Sequence, residues 1–280
     1  MATQVQSINL ETLRPFPEAA CKLIRLINDE KVDFRDVSNV IAGDGAFSSQ
    51  VLRLANSALI GCRHEIASVL QALSVVGVNR LRDLVVTVAL KNFMGDTGNA
   101  SLLRCWRHNL ATAFWCERLA PRFDIEIPVG YTAGILHDIG RIALVMLFPH
   151  DYAAFLDRPL PGRSDPLEAE RIHWKTDHCQ IGHSLATAWN FPAVLRDVIA
   201  HHHDAVTNQP PRIRRLAQAA CAAASITGFH TVCPEPSRAP ARLEDMLPPA
   251  GSGISLQFED LLDTVARKVN ETECSLFVGC

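Results

Sequence analysis

The chain has 280 residues, 48% of them apolar, and a formal net charge of −3 from 27 Lys and Arg against 30 Asp and Glu. That length suffices for one large core or two modest ones, while the charge balance and an aromatic content of 6% argue against a basic, base-stacking nucleic-acid surface. No uncharged apolar run approaches the roughly 18 residues of a membrane span, and the N-terminus MATQVQSINLETLRPFPE has neither the basic nor the apolar region of a secretion signal.

Helical periodicity runs through the chain, and no stretch alternates as a strand does, which predicts an all-α fold. Residues 17–28 place Cys21, Leu23, Ile24 and Ile27 on one face, with Pro17 at the start. Residues 33–42 open on Asp33 as an N-cap; residues 46–58 repeat the pattern through Phe47, Val51 and Leu54. Two further helices, 66–76 and 79–94, are divided by Gly77. The next is a long helix over 101–120, ending before Pro121, and then one over 129–147 containing GILHDIGRIAL. Residues 166–190 read as helical with a break near Asp177; residues 192–204 begin at Pro192, and 211–227 carry an alanine-rich run.

Composition then changes. CPEPSRAPARLEDMLPPAGSGIS, residues 233–255, reads as a linker or long loop, and FEDLLDTVARKVNETE as a last amphipathic helix that docks on the body or serves a partner. The expected organisation is a two-lobed helical domain over 10–228, with a first lobe at 10–95 and a second at 100–228, followed by a tail over 230–280. None of the nine cysteines forms a CxxC pair, so they read as small buried hydrophobes of a reducing cytoplasm.

The eleven histidines cluster. His108 lies in WRHNL, His137 and Asp138 interrupt an apolar run, His178 lies in RIHWKTDHCQIGHSL, and His202 and His203 lie in IAHHHD. Imidazole and carboxylate are ligands for Zn, Fe, Mn and Ni. Taken singly, each also reads as structural: His108 as a helix-surface residue beside Trp106, and 201–203 as a solvated helix end.

Their order resembles the HD superfamily of metal-dependent phosphohydrolases and, more closely, its HDOD branch of bacterial signalling output domains. The similarity extends through LRPFPEAACKLIRLIND, VIAGDGAFSSQVLRLANSALIG, LLRCWRHNLATAFWCERLA, AGILHDIGRIAL and VIAHHHD, over roughly residues 10–225. The resemblance places the metal-binding pattern on His108, His137, Asp138, His178 and His202, with His203 beside it. It departs in two places. RRLAQAAC puts Gln218 where the catalytic families carry an aspartate, and AVTNQPP after HHHD lacks the Gly-Tyr-Pro signature of the phosphodiesterases.

The resemblance therefore implies a cytoplasmic, non-enzymatic signalling module that needs no cofactor and has no assigned catalytic residue. Its partners would be other signalling proteins, an upstream receiver or sensor and a downstream regulator, with neither membrane nor nucleic acid involved. The histidines would form a buried polar network, and Asn56, Ser57, Arg80 and Asp83 would make helix contacts. The alternative is a divalent-metal phosphohydrolase acting on a nucleotide or cyclic dinucleotide, with Fe, Mn, Zn or Ni on the five ligands. Arg212 and Arg215, with Arg214 between them, would then contact phosphate; an exposed helix start in PPRIRRL is the plainer reading of those arginines.

Overall fold

The structure is a computed structural model, and it describes residues 8–25, 34–95, 98–158, 166–204, 210–232, 246–248 and 258–277. Among these there is no strand, and helices follow one another through the chain. They are α1 (Glu18–Arg25), α2 (Phe34–Ala42), α3 (Gly45–Ala55), α4 (Val69–Val76), α5 (Val78–Met94), α6 (Ala100–Leu119), α7 (Ile127–Leu136), α8 (Ile139–Leu147), α9 (Asp151–Asp157), α10 (Pro166–Trp174), α11 (His178–Ala188), α12 (Ala193–His201), α13 (Arg212–Ile226) and α14 (Phe258–Leu276). Asp33, residues 26–28 and most of the Pro/Gly-rich stretch at 233–255 lie outside the described residues.

Local chemistry sets the boundaries. Asp44, Ser68, Asn99 and Asp177 each accept a hydrogen bond from an otherwise unpaired amide in the first turn that follows. Gly77, at φ 83°, turns the chain sharply between α4 and α5, a backbone conformation that costs a residue without Cβ little. The expected break near Asp177 falls between α10 and α11. The helix expected over 129–147 is instead two: α7 stops at Leu136 and α8 begins at Ile139, with Asp138 at φ −110° and ψ 26° between them. The short α9 had no counterpart among the expected elements.

Helix α6 is the axle of the fold. It is buried nearly all round, from Leu102 to Leu119, and α5, α7, α8, α13 and α14 lie against it. A helix covered on nearly every side is a core helix, with Arg104, Arg107, Glu117 and Arg118 reaching its few open edges. The two expected lobes share one continuous apolar core. Phe16, ahead of α1, packs on Phe93 of α5 and on Trp189 and Phe191 beyond α11, with ring centroids 5.0–6.1 Å apart. Asn56 holds the turn after α3 by exchanging hydrogen bonds with the Ile66 backbone at 2.7 and 2.9 Å, and the Ser57 hydroxyl donates to the Leu54 carbonyl at 2.7 Å.

The last helix docks on the body. Leu261, Val265, Val269 and Leu276 are buried, and α14 lies across α3 and α6. Lys268 pairs with Glu117 at 3.0 Å, and Arg107 of α6 reaches Asn270 and Glu273. Beneath this contact Arg80 lies 3.6 Å from Glu117 and 3.9 Å from Asp83.

Asp83 is buried, and its Oδ1 has no hydrogen-bond partner. Burial holds its carboxyl well above the usual range, against the pull of Arg80, Arg82 and Lys268. The native state keeps this proton longer than the unfolded chain does. The contribution is therefore greatest below about pH 4 and is lost as pH rises toward the folded-state value. Asp83→Asn removes that loss, so the stability difference between variant and parent should move in the variant's favour from pH 4 upward. Urea midpoints measured across that range test it; a difference that stays flat with pH refutes it.

Candidate functional site

The break between α7 and α8 changes what the His-Asp pair can do. Adjacent residues on a continuous helix point about 100° apart. With the helix interrupted at the pair, both side chains are buried at one place, His137 at 1% and Asp138 at 2% exposure. The space for this comes from Gly140. A Cβ there would overlap the His178 carbonyl oxygen and sit 2.8 Å from the Gly182 amide nitrogen. Helices α8 and α11 thus cross backbone to backbone, which brings His178, the first residue of α11, down beside Asp138.

The structure brings His108, His137, Asp138, His178 and His202 together. Asp138 Oδ1 lies 3.3 Å from His178 Nε2 and 3.8 Å from His202 Nε2. The ring of His137 is centred 5.3 Å from that of His108 and 4.9 Å from that of His202. The His203 ring closes the exposed side, 4.4 Å from His202 and 5.0 Å from His178.

The four buried imidazoles share one pattern. Each commits Nδ1–H outward: His108 to the Phe229 carbonyl at 2.5 Å, His137 to Gly134 at 2.7 Å, His202 to Ile199 at 3.1 Å and His178 to the Glu170 carboxylate at 2.7 Å. Every Nε2 is left as an inward-facing lone pair. Burial favours the neutral ring, bringing His108 down to about 4 and the other three well below the usual imidazole value. The Nε2 atoms of His137 and His202, and Asp138 Oδ1, are buried without a hydrogen-bond partner.

The cluster carries its own cation. Arg141, three residues after Asp138, places Nε 2.8 Å from Asp138 Oδ2 and Nη1 3.2 Å from Glu170 Oε1, and Nη2 lies 3.4 Å from His178 Nε2. Tyr152 donates to Glu170 Oε1 at 2.7 Å, and the His178 amide donates to Oε2 at 2.8 Å. Burial pushes the Asp138 carboxyl up to about 7, with Arg141 pulling the other way.

The remaining expected residues lie differently. The Gln218 amide is spent on the Asp204 carbonyl at 2.8 Å, and its Oε1 is buried without a partner. Arg212 pairs with Asp124 at the exposed start of α13, Arg214 is bidentate on Asp197, and Arg215 lies over the Phe123 ring. None of these arginine contacts joins the histidine cluster.

Four residues absent from the sequence-based site belong to it, Tyr152 through its bond to Glu170 among them. Arg141 and Glu170 supply its charges, and Cys221, one turn beyond Gln218 on α13, brings Sγ to 3.5 Å from His108 Nε2. The described cysteines are free thiols; Cys21, Cys105, Cys116 and Cys179 are buried as expected, while Cys221 is only half-buried and Cys274 is exposed. Cys233 and Cys280 lie outside the described residues. For Arg141 the available signal was its i,i+3 spacing from Asp138 in an apolar run; for Cys221 there was none.

Residues 13–205 match the sequence profile of the HDOD domain. The chain belongs to the HDOD family. Its fold is that of an HDOD domain protein of unknown function from Geobacter sulfurreducens, at a TM-score of 0.72 and 22% identity over 95% of this chain and 94% of that one. A candidate phosphohydrolase from Shewanella amazonensis is similar at a TM-score of 0.69 and 23% identity, over 95% and 96% of the two chains. A candidate signal-transduction protein from Marinobacter aquaeolei follows at 0.68 and 20%, over 98% of this chain and 62% of that one. An uncharacterized protein of Treponema pallidum is 23% identical over 197 residues; the chain spans 38% of its length. No helix among the described residues is long and apolar enough to cross a membrane.

Proposed function

We propose that this HDOD protein is a signal-transduction module acting through protein contacts, in which the histidine cluster serves as a fixed polar core and not as a hydrolytic centre. The observation that carries this reading is the state of the carboxylate at the centre. Asp138 is already charge-paired with Arg141, and Gln218, in the place of a second carboxylate, is neutral and bonded to a backbone carbonyl. A hydrolytic centre on the pattern this chain resembles uses free carboxylates beside its imidazoles to hold the cation, and needs an open position for water. A polar core needs its members bonded to one another, as Asp138, Arg141, Glu170, Tyr152 and His178 are. Partners would be a receiver or sensor upstream and a regulator downstream, in the cytoplasm; Leu70 and Val75, each 56% exposed on α4, offer an apolar contact surface.

The unpartnered Nε2 atoms favour a second reading, a metal-dependent phosphohydrolase. The donor set fits a divalent cation: His108, His137, Asp138, His178 and His202 would hold it, with Fe, Mn, Zn or Ni as the class. Such an ion, when bound, supplies a Lewis acid and an activated water. The chain's own part would be to orient the imidazoles through the Phe229, Gly134 and Ile199 carbonyls and Glu170.

One screen separates the readings. The full chain, supplied in turn with each of these metals, is assayed on phosphate monoesters, nucleotides and cyclic dinucleotides beside His137→Ala. The contact-module reading expects no turnover above the variant. Turnover in the parent that His137→Ala abolishes overturns it in favour of hydrolysis.

A further inference from the structure

We propose that His108, His137 and Cys221 form a binding site for one thiophilic divalent cation of the zinc class, at the junction of α6, α7 and α13. The site takes two imidazoles, His108 and His137, from the HD pattern and sets a thiol in place of the motif's carboxylate. It does not depend on hydrolysis and is compatible with a purely structural cluster.

Geometry is the first support. The three ligand atoms lie within 4.8 Å of one another. His108 Nε2 and Cys221 Sγ are 3.5 Å apart. A tetrahedral ion with nitrogen at about 2.0 Å and sulfur at about 2.3 Å spans an N···S edge of roughly 3.5 Å, so this pair already stands at ligating separation.

The second support is independent of Cys221. His137 Nε2 is buried, carries no hydrogen bond, and belongs to a ring 1% exposed. An orphaned acceptor at such a place is costly unless something binds it. Both imidazoles are also pre-set for coordination: Nδ1–H of His108 is tied to the Phe229 carbonyl and that of His137 to the Gly134 carbonyl. Outer hydrogen bonds of this kind fix the tautomer and ring orientation of a ligating histidine.

Donor chemistry sets the class of ion. Two imidazoles and one thiolate are borderline-soft donors, which select zinc over magnesium, calcium or manganese. Cys221 would bind as thiolate, its proton passing to solvent as the metal–sulfur bond forms, so binding should weaken as pH falls. With three protein donors, one tetrahedral position remains for water or a small anion. Occupancy would join three helices that the sequence separates by up to 113 residues.

The test uses cobalt(II) as the probe on the full chain, freed of metal by chelator and carrying no histidine tag. The parent should bind about one equivalent, develop a near-ultraviolet thiolate-to-cobalt charge-transfer band, and lose that band when zinc is added. Cys221→Ser should abolish the band and weaken binding at least about 100-fold, while Cys105→Ser, which removes a buried thiol outside the set, should keep both. No band in the parent, or an unchanged band in Cys221→Ser, overturns the proposal. Should Cys221→Ser not fold, the parent alone decides: zinc must protect Cys221 from alkylation at least about tenfold while leaving exposed Cys274 unchanged, and equal labelling of Cys221 with and without zinc refutes the site. A band without turnover leaves the contact-module reading standing, and turnover without a band removes this site but not hydrolysis.

Discussion

Gly140→Ala should lower the stability of the domain by about 3 kcal/mol or more, the upper end of the cost of overpacking a core. The added methyl would overlap the His178 carbonyl oxygen and lie 2.7 Å from the His178 carbonyl carbon. Nothing at that contact is a flexible side-chain end that could swing away. Gly182 closes the other half of the crossing, where a Cβ would meet Ile199 Cγ2 at 2.7 Å. Helix α11 must therefore retreat from α8, carrying His178 away from Asp138. Gly45→Ala is the control: nothing lies within 4 Å of its Cβ position, so the change should be neutral or stabilising by up to about 1 kcal/mol. Urea unfolding with the slope compared between variants reads both effects. A Gly140→Ala midpoint equal to the parent's would refute the packing account of the HDIG glycine.

Arg141→Met should cost about 3–5 kcal/mol, the range for removing one member of a buried ion pair. Its guanidinium is 2% exposed and faces two carboxylates, Asp138 and Glu170, that have no access to bulk water. Methionine keeps much of the volume and leaves both charges uncompensated. The deficit should grow with pH. Without Arg141 the folded-state value of Asp138 rises above its present one of about 7, so charging it costs more as pH climbs through that region, whereas at pH 5 it is protonated in both proteins. Adding Asp138→Asn to Arg141→Met should return part of the loss at pH 8 and little at pH 5. If the double variant is as unstable as the single one at both values, the cost lies in packing and not in charge.

The helices were legible because their apolar positions repeat at helical spacing and their ends carry the right chemistry. Asp177 capped the helix after the break, as a short carboxylate before a helix should. The break at His137 and Asp138 was not legible. GILHDIGRIAL holds no proline, and continuous periodicity argues for one helix through it. Tertiary demand overrides this: two polar side chains must reach one buried point, and the Gly140 crossing holds them there. The histidines were legible as a set because imidazoles are rare and their order matched a known pattern. Their electrostatic environment was not, because Glu170 and Arg141 are 29 residues apart and Cys221 and His108 are 113 apart. Likewise the amphipathic stripe of α14 announced a buried face without naming what it covers.

That cover has a bearing on how the protein is made. Glu117 of α6 meets Lys268 of α14 across 151 residues of chain, and Trp106 and Phe114 of α6 lie under Phe277 and Lys268. At about 5–20 residues per second, translation delivers the covering helix roughly 8–30 s after the surface it shields. During that interval the nascent chain presents one side of its central helix to whatever is nearby. The order of synthesis thus leaves this face of α6 uncovered for a period that the finished fold conceals.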